Sequence, residues 1–500
     1  MPLPCRQKAD NFILHFLCVH GWLCDANTLD YRSIDHYHPN CNKQKESSLK
    51  ATASRLILFS ISIIIGTLSL TFAQAQSAPA AAAQSSIPQQ TQPQTVSQSQ
   101  QLQVTEYSLP PDKLAKAEAL YKTRTVLYLF GLMFGIIVLW VLLKLRVAPV
   151  FRDLAERASK NSFVQALIFV PLLMLLIAII SLPIDLYEQH ISRAYGLSVQ
   201  GWGSWAGDWC KAEGVSLVIT VLAVFSLFQI IRKSPQRWWF YFWLVTLPFL
   251  VLLIFVAPVI LDPMFNTFVP LEKTQPLLVS EIEKVTHRGG LSIPRDRMFE
   301  MKASEKVTTY NAYVTGIGAT KRVVVWDNTS HDLTVPETLF VFGHEMGHYV
   351  LNHVYKGLAF FAAMMLAGFW LGRRLVLAML ARWGEAWHIR GINDLAALPA
   401  LMLALSLLTL VGEPIGNAFS RRQEHQADIY GLEVTHGLFP NNGEVAASAF
   451  QKLGENSYDY PTPNPVLVFW SYSHPSIPER IRFSLHYDPW YTPPGPKYVK

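Results

Sequence analysis

Long apolar runs dominate this 500-residue chain and restrict its fold more than any other feature. Four runs contain no charged side chain and approach the roughly 20 residues that an α-helix needs to cross a bilayer; they are 126–143, 163–182, 215–231 and 238–261. Two further runs, 357–373 and 395–412, are shorter or precede Glu413-Pro414, so each is either a membrane helix or a buried helix of a soluble domain. The pattern predicts a mainly α-helical, polytopic membrane protein with about six spans.

The pentapeptide His344-Glu345-Met346-Gly347-His348 lies between the fourth and fifth runs. Histidines four residues apart share one face of a helix, so both imidazoles can bind one ion with the glutamate beside a water molecule. Zinc with three protein ligands lowers the pKa of that water from about 15.7 towards about 7. The motif predicts a zinc metallopeptidase with one Zn2+ per chain and Glu345 as general base. The alternative is an amphipathic helix whose polar residues face solvent.

The third metal ligand distinguishes the classes of zinc peptidase. A metzincin needs a glycine three residues after His348 and a histidine three residues beyond it, but these positions are Leu351 and Val354. His353 is one residue out of register. An acidic residue on a later helix is the other solution, and Glu424 fits it. Asp428, one turn further along, is then placed to orient a ligand histidine. His425 is the competing ligand, but it lies about 100° around the helix from Glu424.

The chain turns soluble in composition after the fourth run. We therefore predict an N-terminal membrane domain with four helices over 106–261, and a zinc peptidase domain over 262–500 that includes the two shorter spans. Within the second domain, segments 311–315 and 321–326 flank a Gly-containing turn and predict a β-hairpin. Such a hairpin either presents its edge to an extended substrate or is only a packed element.

The N-terminal hundred residues differ from the rest of the chain. Residues 1–53 hold four of the five cysteines without a CxxC spacing, and we interpret them as an over-extended translation start rather than a metal-binding extension. Residues 54–75 join an apolar run to a small-x-small pattern, which predicts a signal peptide or else a seventh membrane helix. Residues 76–105 are rich in Gln, Ser, Pro and Ala and predict a flexible linker.

Four ordered motifs resemble those of the type I CAAX prenyl protease family, a family of integral-membrane zinc peptidases. They are Asn311-Ala312-Tyr313, Gly343 to His348, Ser420 to Asp428, and Ser473 to Pro475 with Glu479-Arg480. The resemblance extends over about residues 120–485. It implies a ring of about six membrane helices around a large hydrophilic chamber, with the catalytic domain closing one end.

The resemblance also implies roles for individual residues. The residues that resemble the zinc ligands and the general base are His344, His348, Glu424 and Glu345. Asn311 resembles the residue that contacts the substrate backbone, and Asn311, Ala312 and Tyr313 together resemble the strand that binds the substrate. His474 resembles the residue that stabilises the oxyanion, which is reasonable because the tetrahedral intermediate gains negative charge on oxygen.

Basic residues are distributed unevenly among the predicted loops. Loops 144–162, 232–237 and 373–394 are rich in Arg and Lys, whereas 184–214 contains only two basic residues. Because short basic loops stay in the cytoplasm, the asymmetry predicts that the metal motif and the C-terminal region lie on the exported face. A signal peptide predicts the same side. The resembled eukaryotic enzymes face the cytosol, so the family predicts the opposite side.

The expected partners are the lipid bilayer and protein or peptide substrates, either membrane and envelope proteins or prenylated CAAX peptides. The net charge of +6 is modest, and the sequence contains no nucleic-acid-binding module. A transporter, receptor or scaffold with an inert zinc site is the alternative from another class. An intramembrane protease is a further alternative, but that class needs its motif in an apolar helix, whereas residues 337–356 are polar along their length.

Overall fold

The computed structural model describes residues 104–316, 321–491 and 493–499. The predictions for 1–53 and 54–75, and nearly all of the linker 76–105, lie outside the described residues. Within the described part, six helical segments are long and apolar enough to cross a membrane. The predicted mainly α-helical, polytopic membrane fold is therefore confirmed.

The first four membrane segments form the N-terminal region. Its helices are α1 (Pro111–Lys144), α2 (Val147–Ala158), α3 (Ser162–Ala194), α4 (Trp202–Lys233), α5 (Trp238–Val256) and α6 (Asp262–Phe265). A π-helical turn, Ala257–Leu261, joins α5 to α6, so the fourth span is one continuous segment. The helices α1, α3, α4 and α5 each coincide with one predicted apolar run, whereas the short α2 and α6 do not. The four long helices were predictable because a membrane span is identified by its hydropathy.

A small sheet and shorter helices follow. In chain order they are β1 (Phe268–Pro270), α7 (Leu271–Thr274), α8 (Pro276–Arg288), β2 (Met298–Met301), β3 (Ala312–Thr315), β4 (Arg322–Trp326), α9 (Asp327–Asp332) and α10 (Val335–Val350). The strand order is β1-β2-β4-β3, with β2 parallel to β4 and the other pairs antiparallel. The predicted hairpin is the β3–β4 pair, and residues 317–320 of its turn lie outside the described residues.

The last two membrane segments and three shorter helices complete the described chain. They are α11 (His353–Trp383), α12 (Leu398–Thr435), α13 (Asn442–Ser457), α14 (Pro465–Ser471) and α15 (Ile477–His486). The helix α12 continues through the buried Pro414 well past residue 412, where the apolar run ends. Proline inside a membrane helix is tolerated because neighbouring groups satisfy the freed backbone atoms. The sixth span and the segment that carries Glu424 are therefore one helix.

Within the described residues, two large hydrophobic cores lie among the membrane helices and around α10, and a third, small cluster includes Met301 and Val324. The first includes Phe169 and Phe228, and the second includes Phe340, Tyr430 and Phe450, all at most 2% exposed. Burying an aromatic side chain of this size stabilises the fold by about 1.5–3 kcal/mol. The second core surrounds the helix that carries the histidine motif, so it holds that helix rigidly in place.

Contacts between loops show which ends of the membrane helices lie together. Arg152 of α2 forms an ion pair of 2.6 Å with Asp394, and both side chains are nearly buried. The loop after the first span and the loop before the sixth span therefore meet at one end. Lys306, in the segment between β2 and β3, pairs with Asp208 near the start of α4. That contact lies at the opposite end of α3, which is 33 residues long and so spans about 50 Å.

Candidate active site

The start of α10 is fixed by a capping box. The hydroxyl of Thr334 accepts the backbone N–H of Glu337, and the Glu337 carboxylate accepts the backbone N–H of Thr334 at 2.7 Å. The same buried carboxylate accepts bonds from Ser448 at 2.6 Å and Lys452 at 2.7 Å, both on α13. Burial opposes ionisation, but these donors lower the pKa of Glu337 below its ordinary value. The helix that carries the motif is therefore anchored to α13 at its first turn.

Glycines allow α10 and α12 to approach closely. A Cβ atom built on Gly431 of α12 would lie only 3.0 Å from the backbone nitrogen of His344. A Cβ atom built on Gly347 of α10 would lie 3.0 Å from the Cβ of Tyr430. Both distances are shorter than an ordinary van der Waals contact, which begins at 3.4 Å. Only glycine fits at such a crossing without a shift of the backbone. The two helices are thus close enough to share one constellation of side chains.

His344, His348 and Glu424 meet where these helices cross. The two Nε2 atoms lie 3.2 Å apart. Oε2 of Glu424 lies 3.2 Å from Nε2 of His344, and Oε1 lies 3.5 Å from Nε2 of His348. Within the described residues this is the one group of three such side chains that could hold a metal ion.

The spacing of these donor atoms fits a tetrahedral metal ion. Bonds of about 2.0–2.1 Å at tetrahedral angles place the ligand atoms about 3.3–3.4 Å apart, and the three observed separations are 3.2, 3.2 and 3.5 Å. The Oε2 atom of Glu424 is also buried without a hydrogen-bond partner. A buried, unsatisfied carboxylate oxygen is costly unless a cation compensates it. The residues present therefore fit a bound metal.

Asp428 and Arg480 lie behind His344. Oδ1 of Asp428 is 2.8 Å from Nδ1 of His344, the ring nitrogen that faces away from Glu424. Arg480 donates to both carboxylate oxygens of Asp428, at 3.0 and 2.6 Å. Burial disfavours the charge of Arg480, but Asp428 raises the pKa of the guanidinium above its ordinary value. The four-residue spacing from Glu424 predicted Asp428, whereas the contact of Arg480 was not predicted, although Arg480 belongs to a motif shared with the resembled family.

His474 approaches the cluster from the loop between α14 and α15. Its Nε2 lies 3.3 Å from Oε2 of Glu424, and its Nδ1 lies 2.9 Å from the hydroxyl of Ser473. The side chain remains 56% exposed and so borders open space beside the cluster. Burial lowers the pKa of its imidazole below the ordinary value, although the Glu424 carboxylate acts in the opposite direction.

Glu345 projects beside the same group. Its Oε1 lies 4.0 Å from Nε2 of His344, and its side chain is 24% exposed. Partial burial raises the pKa of the carboxyl above its ordinary value, while the neighbouring histidines act in the opposite direction. A carboxyl with a raised pKa is a better proton acceptor, which suits a general base.

Asn311 immediately precedes β3, which packs against the motif helix α10. The backbone of Asn311 is held by Thr329, whose hydroxyl accepts its N–H at 2.7 Å and donates to its carbonyl at 2.8 Å. The Asn311 side chain itself is exposed. The strand β3 packs against α10, and among the described residues it pairs only with β4. Ala312 and Tyr313 thus lie on a strand with one free edge, next to the motif helix.

Competing candidates from the sequence lie elsewhere. The ring of His425 packs against Phe483, 4.5 Å between ring centroids, on a different side of α12 from Glu424. His353 is 3% exposed and contacts Nδ1 of His348, whereas the nitrogen of His348 that faces the other two members of the group is Nε2. The motif helix α10 is not among the six candidate membrane spans of the described residues, which disfavours an intramembrane protease.

Comparisons with known proteins agree with this geometry. A family model for the CAAX prenyl protease N-terminal region, with five membrane helices, matches residues 90–267, and the model of peptidase family M48 matches residues 272–487. An uncharacterized metalloprotease of Bacillus subtilis, YhfN, is 38% identical over 75% of this chain and 86% of its own length.

More distant relatives carry the name of a protease with a defined substrate class. The CAAX prenyl protease 1 homolog of Homo sapiens is 25% identical over 72% of this chain and 80% of its own length. The crystal structure of S. mikatae Ste24p aligns with a TM-score of 0.64 at 22% identity, covering 78% of this chain and 94% of that one. That likeness shows that the two chains share a fold.

Proposed function

The chain belongs to peptidase family M48 and is a membrane metalloendopeptidase, and from this premise we propose that it cleaves extended polypeptides at a single zinc ion held by His344, His348 and Glu424. The family and the relatives named as metalloproteases do not favour a transporter, receptor or scaffold with an inert site. The choice of zinc is supported by two imidazoles, one carboxylate and near-tetrahedral spacing. The observation that carries the proposal is the placement of the Glu424 carboxylate, which directs Oε2 at Nε2 of His344 and Oε1 at Nε2 of His348 at near-tetrahedral spacing.

Each neighbouring side chain then has a defined task. Bound zinc would supply Lewis-acid activation of a water nucleophile and of the scissile carbonyl. Glu345 takes the proton from that water and passes it to the leaving amine. Asp428, fixed by Arg480, holds the Nδ1 proton of His344 and thereby leaves Nε2 free to bind the ion.

His474 is placed to stabilise negative charge. When the hydroxyl of Ser473 donates to Nδ1, the proton of the neutral ring resides on Nε2, the atom that faces the cluster. That N–H can donate to the oxygen of the tetrahedral intermediate. Its exposure to the open space beside Glu424 leaves room for a substrate carbonyl.

The free edge of β3 is the proposed substrate-binding strand. An extended peptide that adds to Ala312 and Tyr313 would form main-chain hydrogen bonds irrespective of its sequence. The exposed amide of Asn311, immediately before β3, would contact the peptide backbone. This mode of binding favours unfolded segments over folded domains, because only an extended chain can pair with a strand.

We also propose that the site lies on the exported face. The basic loop that contains Arg152 and the basic loop that contains Arg390 meet at one end of the membrane helices, and the segment that contains Lys306 contacts the other end. Basic loops stay in the cytoplasm. Arg152 and Arg390 are themselves paired with acids, so the remaining loop lysines and arginines carry the orientation signal. The test is a reporter that functions only in the cytosol, fused after Lys500. Activity of this reporter would refute the exported orientation.

The natural substrates are proposed to be membrane or envelope proteins, with prenylated CAAX peptides as the substrate class that the named relatives suggest. Cleavage of an unstructured protein and of a farnesylated CAAX peptide by the detergent-purified full chain distinguishes these classes. Glu345→Gln should abolish cleavage of both while zinc remains bound, because only the proton acceptor is lost. Glu385→Gln, at an exposed position far along the chain from the motif, is the matched control and should cleave normally. Undiminished cleavage by Glu345→Gln would contradict the proposed mechanism.

A further inference from the structure

His353 is a buried histidine that the catalytic assignment leaves without a role. It is the first residue of α11 and is 3% exposed. Its Nδ1 lies 3.1 Å from Nδ1 of His348. Its Nε2 lies 3.1 Å from Oε1 of Gln426 on α12. The three side chains form a linear chain of polar contacts that ends at a proposed metal ligand.

Only one assignment of protons satisfies every contact in this chain. His348 presents Nε2 to the metal cluster, so its Nδ1 carries the proton and must donate. His353 then accepts on Nδ1, which leaves its own proton on Nε2. That N–H donates to the carbonyl oxygen of Gln426, an obligatory acceptor. A neutral His353 in this tautomer fits both neighbours.

The break between α10 and α11 creates this arrangement. In an uninterrupted helix His353, five residues after His348, would point about 140° away from it. Asn352 instead adopts the left-handed conformation, with φ of 58°, which asparagine tolerates better than most residues. The chain turns there, and the first residue of α11 folds back against the last turn of α10. The imidazole rings then meet edge to face at 5.0 Å.

Two different faces of α12 contact His344 and His353. Glu424 and Asp428, four residues apart, lie on the face that meets His344. Gln423 and Gln426, three residues apart, lie on another face and both reach His353. Gln426 contacts the ring, whereas Gln423 contacts only the backbone carbonyl, at 3.4 Å. The helix α12 thus contributes the ligand Glu424, the outer partner of His344, which is Asp428, and the residue that contacts the outer partner of His348, which is Gln426.

We propose that His353, oriented by Gln426, is a positioning residue that fixes the tautomer and ring orientation of His348 and so strengthens metal binding at that ligand. This inference rests on the metal site proposed above. Hydrogen-bond partners of ligand histidines typically change metal affinity about 10- to 100-fold when removed. His353 contacts the cluster at Nδ1 of His348, so its effect reaches the metal through that ligand.

The test measures zinc affinity of the detergent-purified full chain by competition with a chelator. His353→Leu, similar in size but without an acceptor, should weaken zinc binding about 10- to 100-fold. His353→Asn places an oxygen near the lost Nδ1 and should retain most of the affinity. A purely space-filling histidine predicts the reverse order, because Leu fills the buried site better than Asn. Equal affinities for the two variants, or tighter binding by Leu, would overturn the proposal.

Substitutions at Gln426 provide an independent arm should His353→Leu fail to fold. Gln426→Leu removes the acceptor and should weaken zinc binding, whereas Gln426→Glu retains an acceptor oxygen and should not. Gln423→Leu is the matched control on the same helix and should bind zinc as the unmodified chain does. Indistinguishable affinities for Gln426→Leu and Gln423→Leu would overturn the inference and leave the proposed function intact. Absence of zinc binding by the unmodified chain would overturn both.

The d–d absorption spectrum of the cobalt-substituted protein provides a readout that activity does not. Loss of the partner of His348 changes the orientation of one nitrogen ligand, so His353→Leu should shift this spectrum. Gln423→Leu should leave it unchanged. An unaltered spectrum in His353→Leu would contradict a positioning role.

Discussion

Replacement of Gly431 by alanine tests whether the close crossing of α10 and α12 sets the geometry of the site. The new Cβ would lie 3.0 Å from N and 3.2 Å from Cα of His344, so the backbones must separate by a few tenths of an ångström. Overpacking of this kind costs about 1–3 kcal/mol, whereas alanine in a helix gains about 1 kcal/mol over glycine.

Gly416→Ala is the matched control on the same helix. Its Cβ would meet only the ring of Phe361, at an ordinary distance of 3.7 Å. Both variants share the gain in helix propensity, so their difference isolates the crowding at His344. We therefore expect Gly431→Ala to be less stable than Gly416→Ala by about 1–3 kcal/mol.

Thermal unfolding of the purified full chain, followed by tryptophan fluorescence, gives the order of stability. Gly431→Ala should also bind zinc more weakly, because separation of the helices moves Glu424 away from His344. Gly416→Ala should bind zinc normally. Equal unfolding temperatures together with unchanged zinc affinity in Gly431→Ala would refute the view that the glycine crossing sets the site.

Three further substitutions probe separate parts of the structure. Asp428→Asn removes the charge that Arg480 neutralises and should weaken zinc binding about 10- to 100-fold in a chelator competition; unchanged affinity would count against its role behind His344. His474→Ala should lower kcat about 10²- to 10³-fold with zinc content unchanged, and a loss of zinc instead would mean that it acts as a ligand. Glu433→Ala removes a fully buried carboxylate that accepts the backbone N–H of Tyr498 at 2.6 Å, so limited proteolysis should release the C-terminal tail faster; unchanged proteolysis would contradict that anchor.

The membrane spans were predictable because a bilayer imposes one simple requirement, about 20 consecutive apolar residues. That the sixth span continues into the site was expected from its place beside Glu424, and α12 does so. The residue at which α12 ends was not predictable, because its polar part beyond Pro414 has no hydropathy signal and is held by packing against α10. The β3–β4 hairpin is local in sequence and was predicted. The pairing of β2 with β4 was not, because it joins segments whose association depends on tertiary packing.

The site was predictable to the extent that its spacing is helical. His344 and His348, and likewise Glu424 and Asp428, lie four residues apart on single helices. The contact between His353 and His348 depends on the left-handed backbone at Asn352, which the spacing of histidines does not reveal. Side-chain contacts across a turn between two helices are seen only in the structure.

The zinc content of the purified full chain shows whether His344, His348 and Glu424 hold a metal ion. Elemental analysis should find one zinc ion per unmodified chain and per His425→Ala chain, because His425 lies against Phe483 and away from the cluster. Glu424→Ala removes the carboxylate between the two imidazoles and should lose the zinc. Retention of zinc by Glu424→Ala together with its loss from His425→Ala would contradict the assigned site.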